Sequence, residues 1–196
     1  MPNVQIKFGN ITDHEYDQYY QMMKIDRNDH KYNHLQHVVG RVLLSQMLDV
    51  PFQNLMNSKL LMFGSHRKPY LKSHQAFFNI AHSYDLVVVA MSHQDIGIDL
   101  EKIRPFGFTK IRRAFSKKEI EYLSQLSKKD QSYYTLKLWT IKEGVLKLLG
   151  LGLPGHPKTV EVDLSDFKHA YRNGLTYKIN DLKLDPAYVG TVVEVM

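Results

Sequence analysis

The chain has 196 residues, no cysteine and a formal net charge of +6, long enough for one large domain or two small ones that bury a core without covalent staples. The lack of thiols excludes disulfides, thiolate metal sites and a cysteine nucleophile, and it fits a reducing cytoplasm. The N-terminal stretch carries Asp13, His14, Glu15 and Asp17 with no apolar signal core, and no run approaches the roughly eighteen apolar residues of a membrane span, so a soluble cytoplasmic protein is expected. Its cation excess suits a polyanionic partner, whether nucleic acid, a phosphorylated cofactor or an acidic protein.

Alternation over residues 3–8 predicts a first strand, closed by Gly9 and Asn10. Thr12, with Glu15 three residues on, reads as the cap of a short helix running through Tyr16, Tyr19 and Tyr20 to about Met23. The polar connection 24–31 is a solvated loop or a phosphate-facing lip. From about His30 to Leu48, the apolar Leu35, Val38, Val39, Val42, Leu43 and Met47 keep the spacing of an amphipathic helix. Asp49-Val50-Pro51 stops it. A helical turn over 51–56 and a strand over 59–63 lead into Gly64-Ser65-His66-Arg67-Lys68-Pro69-Tyr70. There Pro69 fixes one dihedral and holds Lys68 extended. The pattern is that of an ordinary basic turn before that of a loop that offers a cation to an anionic ligand.

Residues 77–83 turn from apolar to polar and end at His82 and Ser83, where either a hydrogen-bonded structural histidine or a ligand contact is at home. Val87-Val88-Val89-Ala90-Met91, the turn Ser92-His93-Gln94-Asp95 and Ile96-Gly97-Ile98-Asp99-Leu100-Glu101-Lys102 predict a hairpin. On its second strand Asp99 and Glu101 share a face. Adjacent carboxylates repel and favour protonation unless a cation lies between them. A hard divalent cation, Mg²⁺ first, takes such oxygens together with phosphate oxygens. A solvated edge strand, charged against aggregation, is the alternative.

The turn-rich 103–108 is the best internal boundary, separating 1–104 from 105–196. Beyond it come a short helix over 109–114 and a capping box, Ser116-Lys117-Lys118-Glu119, for a helix to about Ser127. Asp130 is placed to cap a long helix over 131–149 that Gly150, Gly152 and Pro154 end. Leu138, Ile141, Val145 and Leu148 form its apolar stripe, with Trp139, Glu143 and Lys147 stacked on a neighbouring face. A glutamate on a covered helix is costly unless paired, and Glu143 with Lys147 also suits plain helix support. Strands are expected over 160–164, 167–171, 175–179 and 188–195, with an Asn173-Gly174 hairpin turn.

Gly97-Ile98-Asp99-Leu100-Glu101-Lys102, then Phe115-Ser116-Lys117-Lys118-Glu119, then Leu138-Trp139-Thr140-Ile141-Lys142-Glu143-Gly144-Val145-Leu146-Lys147 stand in this order. Upstream are Arg67-Lys68-Pro69 and Phe78-Asn79-Ile80-Ala81-His82-Ser83. Together the segments resemble the 4′-phosphopantetheinyl transferases of the Sfp type, a far more specific signal than any one motif. The resemblance implies an α+β fold of two similar α/β subdomains related by a pseudo-twofold, each a small antiparallel sheet packed on helices, with the cofactor cleft between them. It implies a usually monomeric, cytoplasmic enzyme, familiar in secondary metabolite biosynthesis. Such an enzyme moves the phosphopantetheine arm of coenzyme A to a serine of an acyl or peptidyl carrier protein and releases adenosine 3′,5′-bisphosphate.

Carried over by position, the resemblance makes Asp99, Glu101 and Glu143 the Mg²⁺ ligands (Mn²⁺ as a substitute) and Lys147 the pyrophosphate-binding lysine. It puts His82 at the 3′-phosphate of coenzyme A and Lys68 with Pro69 in the adenine and phosphate loop. The partner brings the nucleophile, so no Ser-His-Asp set is needed. Glu143 is the candidate base, with Glu119 as a helper. Lys102, Arg104, Lys110, Arg112, Arg113, Lys117 and Lys118 form a cationic surface suited to an acidic carrier, and Phe106, Phe108 and Phe115 are apolar contacts or core. The departures are Arg67 where the family has glycine and Ala81 where a serine is common. The basic cofactor contacts of the first helix region are only approximated by Lys24, Arg27, Lys31 and Asn33. A Mg²⁺-dependent phosphodiesterase or nuclease would use the same carboxylates and lysine. A basic nucleic-acid-binding module fits the charge, but no stacking platform or recognition helix accompanies it.

Overall fold

A computed structural model describes residues 4–27, 32–57, 60–64, 66, 68–73 and 75–196, with Leu153 as backbone only. Asn3, Lys31, Lys59 and Arg67, and the expected helix start at His30, lie outside the described residues. The chain is α+β and divides into two compact units, Met1–Gly64 with Pro69–Gln94, and Ser65–Lys68 with Asp95–Met196.

The first unit runs β1 (Gln5–Asn10), α1 (Asp17–Met22), α2 (Tyr32–Leu48), α3 (Phe52–Met56), β2 (Leu61–Phe63), β3 (Pro69–Leu71), β4 (Phe77–Ser83) and β5 (Leu86–Ser92). Its sheet is antiparallel in the order β1-β5-β4, with β2 and β3 as a separate ribbon. The stripe expected of α2 is the core. Leu35, Val38, Val39, Val42 and Leu43 are buried in one cluster with Val87 and Val89 of β5. Each large apolar side chain taken from water contributes about 1.5–3 kcal/mol, and this burial rather than local propensity holds the helix.

Thr12 is not the cap it was expected to be. Its amide and hydroxyl donate to Asn10 Oδ1 at 2.9 and 2.7 Å, an Asx-type turn that leaves Asp13 at the N-cap of a short 3₁₀ turn before α1. Pro69, expected in an irregular loop, opens β3 opposite Phe63, a position where its missing N–H is tolerated.

The second unit runs β6 (Ile96–Lys102), α4 (Lys117–Ser124), α5 (Lys128–Leu148), β7 (Glu161–Val162), β8 (His169–Arg172), β9 (Leu175–Asp181) and β10 (Tyr188–Val195). Its antiparallel sheet has the order β6-β10-β9-β8-β7. The hairpin expected of β5 and β6 does not form. Both edges of β5 are taken by β1 and β4, whereas β6 pairs along its length with β10, from Ile96 opposite Glu194 to Lys102 opposite Tyr188. A strand whose two edges are satisfied has no backbone groups left for a third neighbour. The same pairing puts β6 in the second unit, so the units divide before the turn-rich 103–108.

α4 begins with the capping box. Ser116 Oγ accepts the Glu119 N–H at 3.3 Å, and Glu119 Oε2 accepts the Ser116 N–H at 2.7 Å. α5 begins earlier than expected because Ser127, not Asp130, is its N-cap. The Ser127 hydroxyl accepts the Asp130 N–H at 3.2 Å and donates to Asp130 Oδ2 at 2.7 Å. Leu138, Ile141, Val145 and Leu148 form the buried stripe, clustered with Val160, Ile179 and Val193. Phe167 has φ of 59°, outside strand geometry, so β8 starts only at His169.

Candidate active site

Glu143 and Lys147 stand one turn apart on α5, and Asp99 and Glu101 alternate along β6. Two glycines let the helix settle on the sheet. A Cβ on Gly97 would collide with the Gly144 carbonyl oxygen, and one on Gly144 would come 2.6 Å from Val193 Cγ2 of β10. Glycine inside a helix costs about 0.5–1 kcal/mol against alanine. Close packing of backbone on backbone is what that cost permits here.

At this separation the Lys147 ammonium reaches across to the strand, 2.6 Å from Asp99 Oδ1, and not along the helix to Glu143. Asp99 Oδ2 and Glu143 Oε1 are buried without a hydrogen-bond partner. Burial, reinforced by Glu101 and opposed by Lys147, pushes the Asp99 carboxyl from 3.8 up to about 6. Burial first, then the charge of Asp99, lifts Glu143 from 4.5 to about 7, with Glu101 adding and Lys147 opposing.

Two unsatisfied anionic oxygens, each on a carboxyl whose pKa burial raises and the second raised further by the charge of the first, fit a hard divalent cation, which would remove both costs. That fit belongs first to Asp99 and Glu143. Glu101 is 3.2 Å from Arg104 Nη1, and the three carboxylates do not converge within 4.8 Å of one another. Among the described residues the set that does is Asp163, Asp166 and His169.

Residues 95–191 match the family model of the 4′-phosphopantetheinyl transferase superfamily. Similar proteins include the 4′-phosphopantetheinyl transferase psf-1 of Bacillus pumilus, 29% identical over 157 residues, 77% of this chain and 67% of the relative. The 4′-phosphopantetheinyl transferase Sfp of Bacillus subtilis is 33% identical over 131 residues, 66% of this chain and 58% of the relative. The gsp transferase of Aneurinibacillus migulanus is 32% identical over 113 residues, 58% of this chain and 46% of the relative. Over residues 95–191 the chain belongs to the 4′-phosphopantetheinyl transferase superfamily. Its aligned part spans about half to two thirds of the length of these relatives.

Within this superfamily match lie Asp99, Glu101, Glu143 and Lys147; Lys68, Pro69 and His82 precede it. Lys68, expected at a cofactor phosphate, donates from Nζ to the Leu148 carbonyl at 2.8 Å, with Asp95 at 3.9 Å, and burial holds its pKa below the usual lysine range. It caps the last turn of α5, where orphan carbonyls favour a cation. Pro69 and His82 belong to the first unit, His82 exposed on β4 opposite Val87. Among the first-unit cations, Arg27 is 2.5 Å from Asp17 Oδ1.

Glu119 is a brace rather than a helper base. It is 1% exposed, with Oε2 in the capping box and Oε1 in an ion pair 2.9 Å from the buried Lys142 ammonium, a place between α4 and α5 that a substrate hydroxyl does not reach from solvent. Phe108 and Phe115 are core, while Lys110, Arg112, Arg113 and Lys158 line a groove of about 580 Å³. Sequence reasoning passed over Thr191. It lies directly opposite Asp99 on β10, fully buried, and no local pattern marks it.

Proposed function

We propose that this chain transfers the 4′-phosphopantetheine arm of coenzyme A to a serine hydroxyl of an acyl or peptidyl carrier protein in the cytoplasm, with Mg²⁺ and release of adenosine 3′,5′-bisphosphate. The observation that carries the proposal is the pair of buried, partnerless carboxylate oxygens of Asp99 and Glu143 beside the Lys147 ammonium. Asp99 and Glu143 would hold the cation, with Glu101 joining once it leaves Arg104. The bound ion would neutralise charge on the pyrophosphate oxygens.

In this reading the carrier serine attacks the phosphorus that bears the pantetheine arm. A bond from serine oxygen to phosphorus forms as the bond to the bridging pyrophosphate oxygen breaks, and adenosine 3′,5′-bisphosphate departs with that oxygen. Glu143 takes the serine proton. The cation would offset the burial and the neighbouring charge that raise this carboxyl's pKa, and so favour the ionised form that accepts a proton. Lys147, kept in place by Asp99, offers its N–H groups to the negative charge that builds on the phosphate oxygens. His82 and Pro69 would contact coenzyme A, and Lys68 would steady the end of α5 through the Leu148 carbonyl. The cationic groove of Lys110, Arg112 and Arg113 would steer an acidic carrier to the site.

The test is intact-mass spectrometry of apo carrier proteins incubated with the chain, coenzyme A and Mg²⁺. A metal-dependent gain of one phosphopantetheine on a carrier supports the proposal. Coenzyme A consumed at the same rate with and without carrier, leaving every carrier mass unchanged, would instead make the chain a phosphodiesterase.

A further inference from the structure

Three buried side-chain oxygens without a hydrogen-bond partner belong to neighbouring positions: Asp99 Oδ2, Glu143 Oε1 and Thr191 Oγ1. Thr191 is 0% exposed and pairs directly with Asp99 between β10 and β6. Directly opposed residues share a face of the sheet, with Cβ atoms about 4.5–5.5 Å apart. That face is the one α5 covers. A Cβ on Gly144 would stand 3.7 Å from Thr191 Oγ1, so the hydroxyl lies beneath the turn of helix that carries Glu143. Leaving a buried hydroxyl unpaired costs about 1–3 kcal/mol, and valine would fill the same volume without that cost.

We propose that Thr191 is a positioning residue for the cation site: its hydroxyl donates to Asp99 Oδ2 when the carboxylates take a divalent ion. This rests on the proposed function above and deepens it. Lys147 fixes Asp99 Oδ1 from the helix side at 2.6 Å, and Thr191 fixes the second oxygen from the sheet side. Between them the carboxylate plane is set, so the lone pairs face the ion rather than rotating about the last side-chain bond. Such outer contacts to a ligating carboxylate typically change metal affinity by about 10–100-fold. Thr191 touches neither substrate nor reacting atoms in this assignment.

The experiment is a titration of the full chain with Mn²⁺, with and without coenzyme A, read by electron paramagnetic resonance of the free ion. Four proteins are compared: the unsubstituted chain, Thr191→Val, Thr191→Ser, and Thr135→Val. Thr135 is an equally buried, equally unpartnered hydroxyl near the start of α5 and controls for loss of a buried hydroxyl as such. The expected result is an Mn²⁺ Kd raised about tenfold or more in Thr191→Val, restored in Thr191→Ser and unchanged in Thr135→Val. Equal Kd in Thr191→Val and the unsubstituted chain overturns the positioning role alone. An equal loss in Thr135→Val overturns it as well, because the effect would then be general loosening. If the unsubstituted chain binds no Mn²⁺ under either condition, the cation site and this role fall together.

Discussion

Replacing Asp99 with its neutral isostere should stabilise the metal-free protein, against the usual result of removing an ion-pair partner. The folded carboxyl sits at about 6 against 3.8 for a free one, a value that already includes the attraction of Lys147. Above about pH 7 the ionised Asp99 therefore costs the native state on the order of 3 kcal/mol. The sign follows from proton binding. Between the two pKa values the folded chain holds a proton that the unfolded chain has released, so stability falls as pH rises through that window. An amide at this position has no such titration. Asp99→Asn should raise the melting temperature by roughly 6–12 °C at about pH 8 in chelator, and by nearly nothing at about pH 4, where the native carboxyl is protonated. Added Mg²⁺ should restore stability to the unsubstituted chain and leave the variant unmoved, shrinking the gap. The assay is differential scanning fluorimetry across pH, with and without metal. A melting temperature lowered by the substitution at about pH 8, or a gain that does not fade on acidification, would refute the view that Asp99 is buried at a cost.

Four further outcomes follow from the same geometry. Gly97→Ala should press α5 away from β6, lowering stability by about 1–3 kcal/mol in denaturant titrations and lowering transfer with it. Unchanged stability would mean the helix yields freely. Lys142→Met should cost about 3–5 kcal/mol because Glu119 is left charged and buried, and adding Glu119→Gln should recover much of the loss; equal stability of the single and double variants would contradict the brace. Lys147→Ala should slow transfer about 10²-fold or more at saturating coenzyme A, a role an unchanged kcat would remove. His82→Ala should weaken coenzyme A more than coenzyme A lacking the 3′-phosphate, compared by calorimetry. Equal losses would argue against that contact.

What could be read from the chain was what depends on near neighbours. The stripe from Leu35 to Leu43 and that from Leu138 to Leu148 announce helices because burial follows a short period, and Ser116 with Glu119 announces a cap because both partners lie within one turn. What could not be read was partner choice over long separations. Two apolar runs around Ser92-His93-Gln94-Asp95 look the same whether they pair with each other or, as they do, with β1, β4 and β10. The carboxylates of the site were legible as residue types, but the state of each was not. Nothing local says that Lys147 crosses to Asp99, that Glu101 is held by Arg104 or that Lys68 ends on the Leu148 carbonyl. Thr191 was invisible because its only distinction is the register that sets it opposite Asp99.

Transfer through the Asp99, Glu143 and Lys147 cluster can be followed by measuring adenosine 3′,5′-bisphosphate release and carrier modification together, with Mg²⁺, in the unsubstituted chain and in Glu143→Gln. One nucleotide should be released per arm transferred, with no release in the absence of carrier and both signals lost together in Glu143→Gln. Release that continues without carrier, or transfer that survives Glu143→Gln at the full rate, would contradict transfer through this cluster.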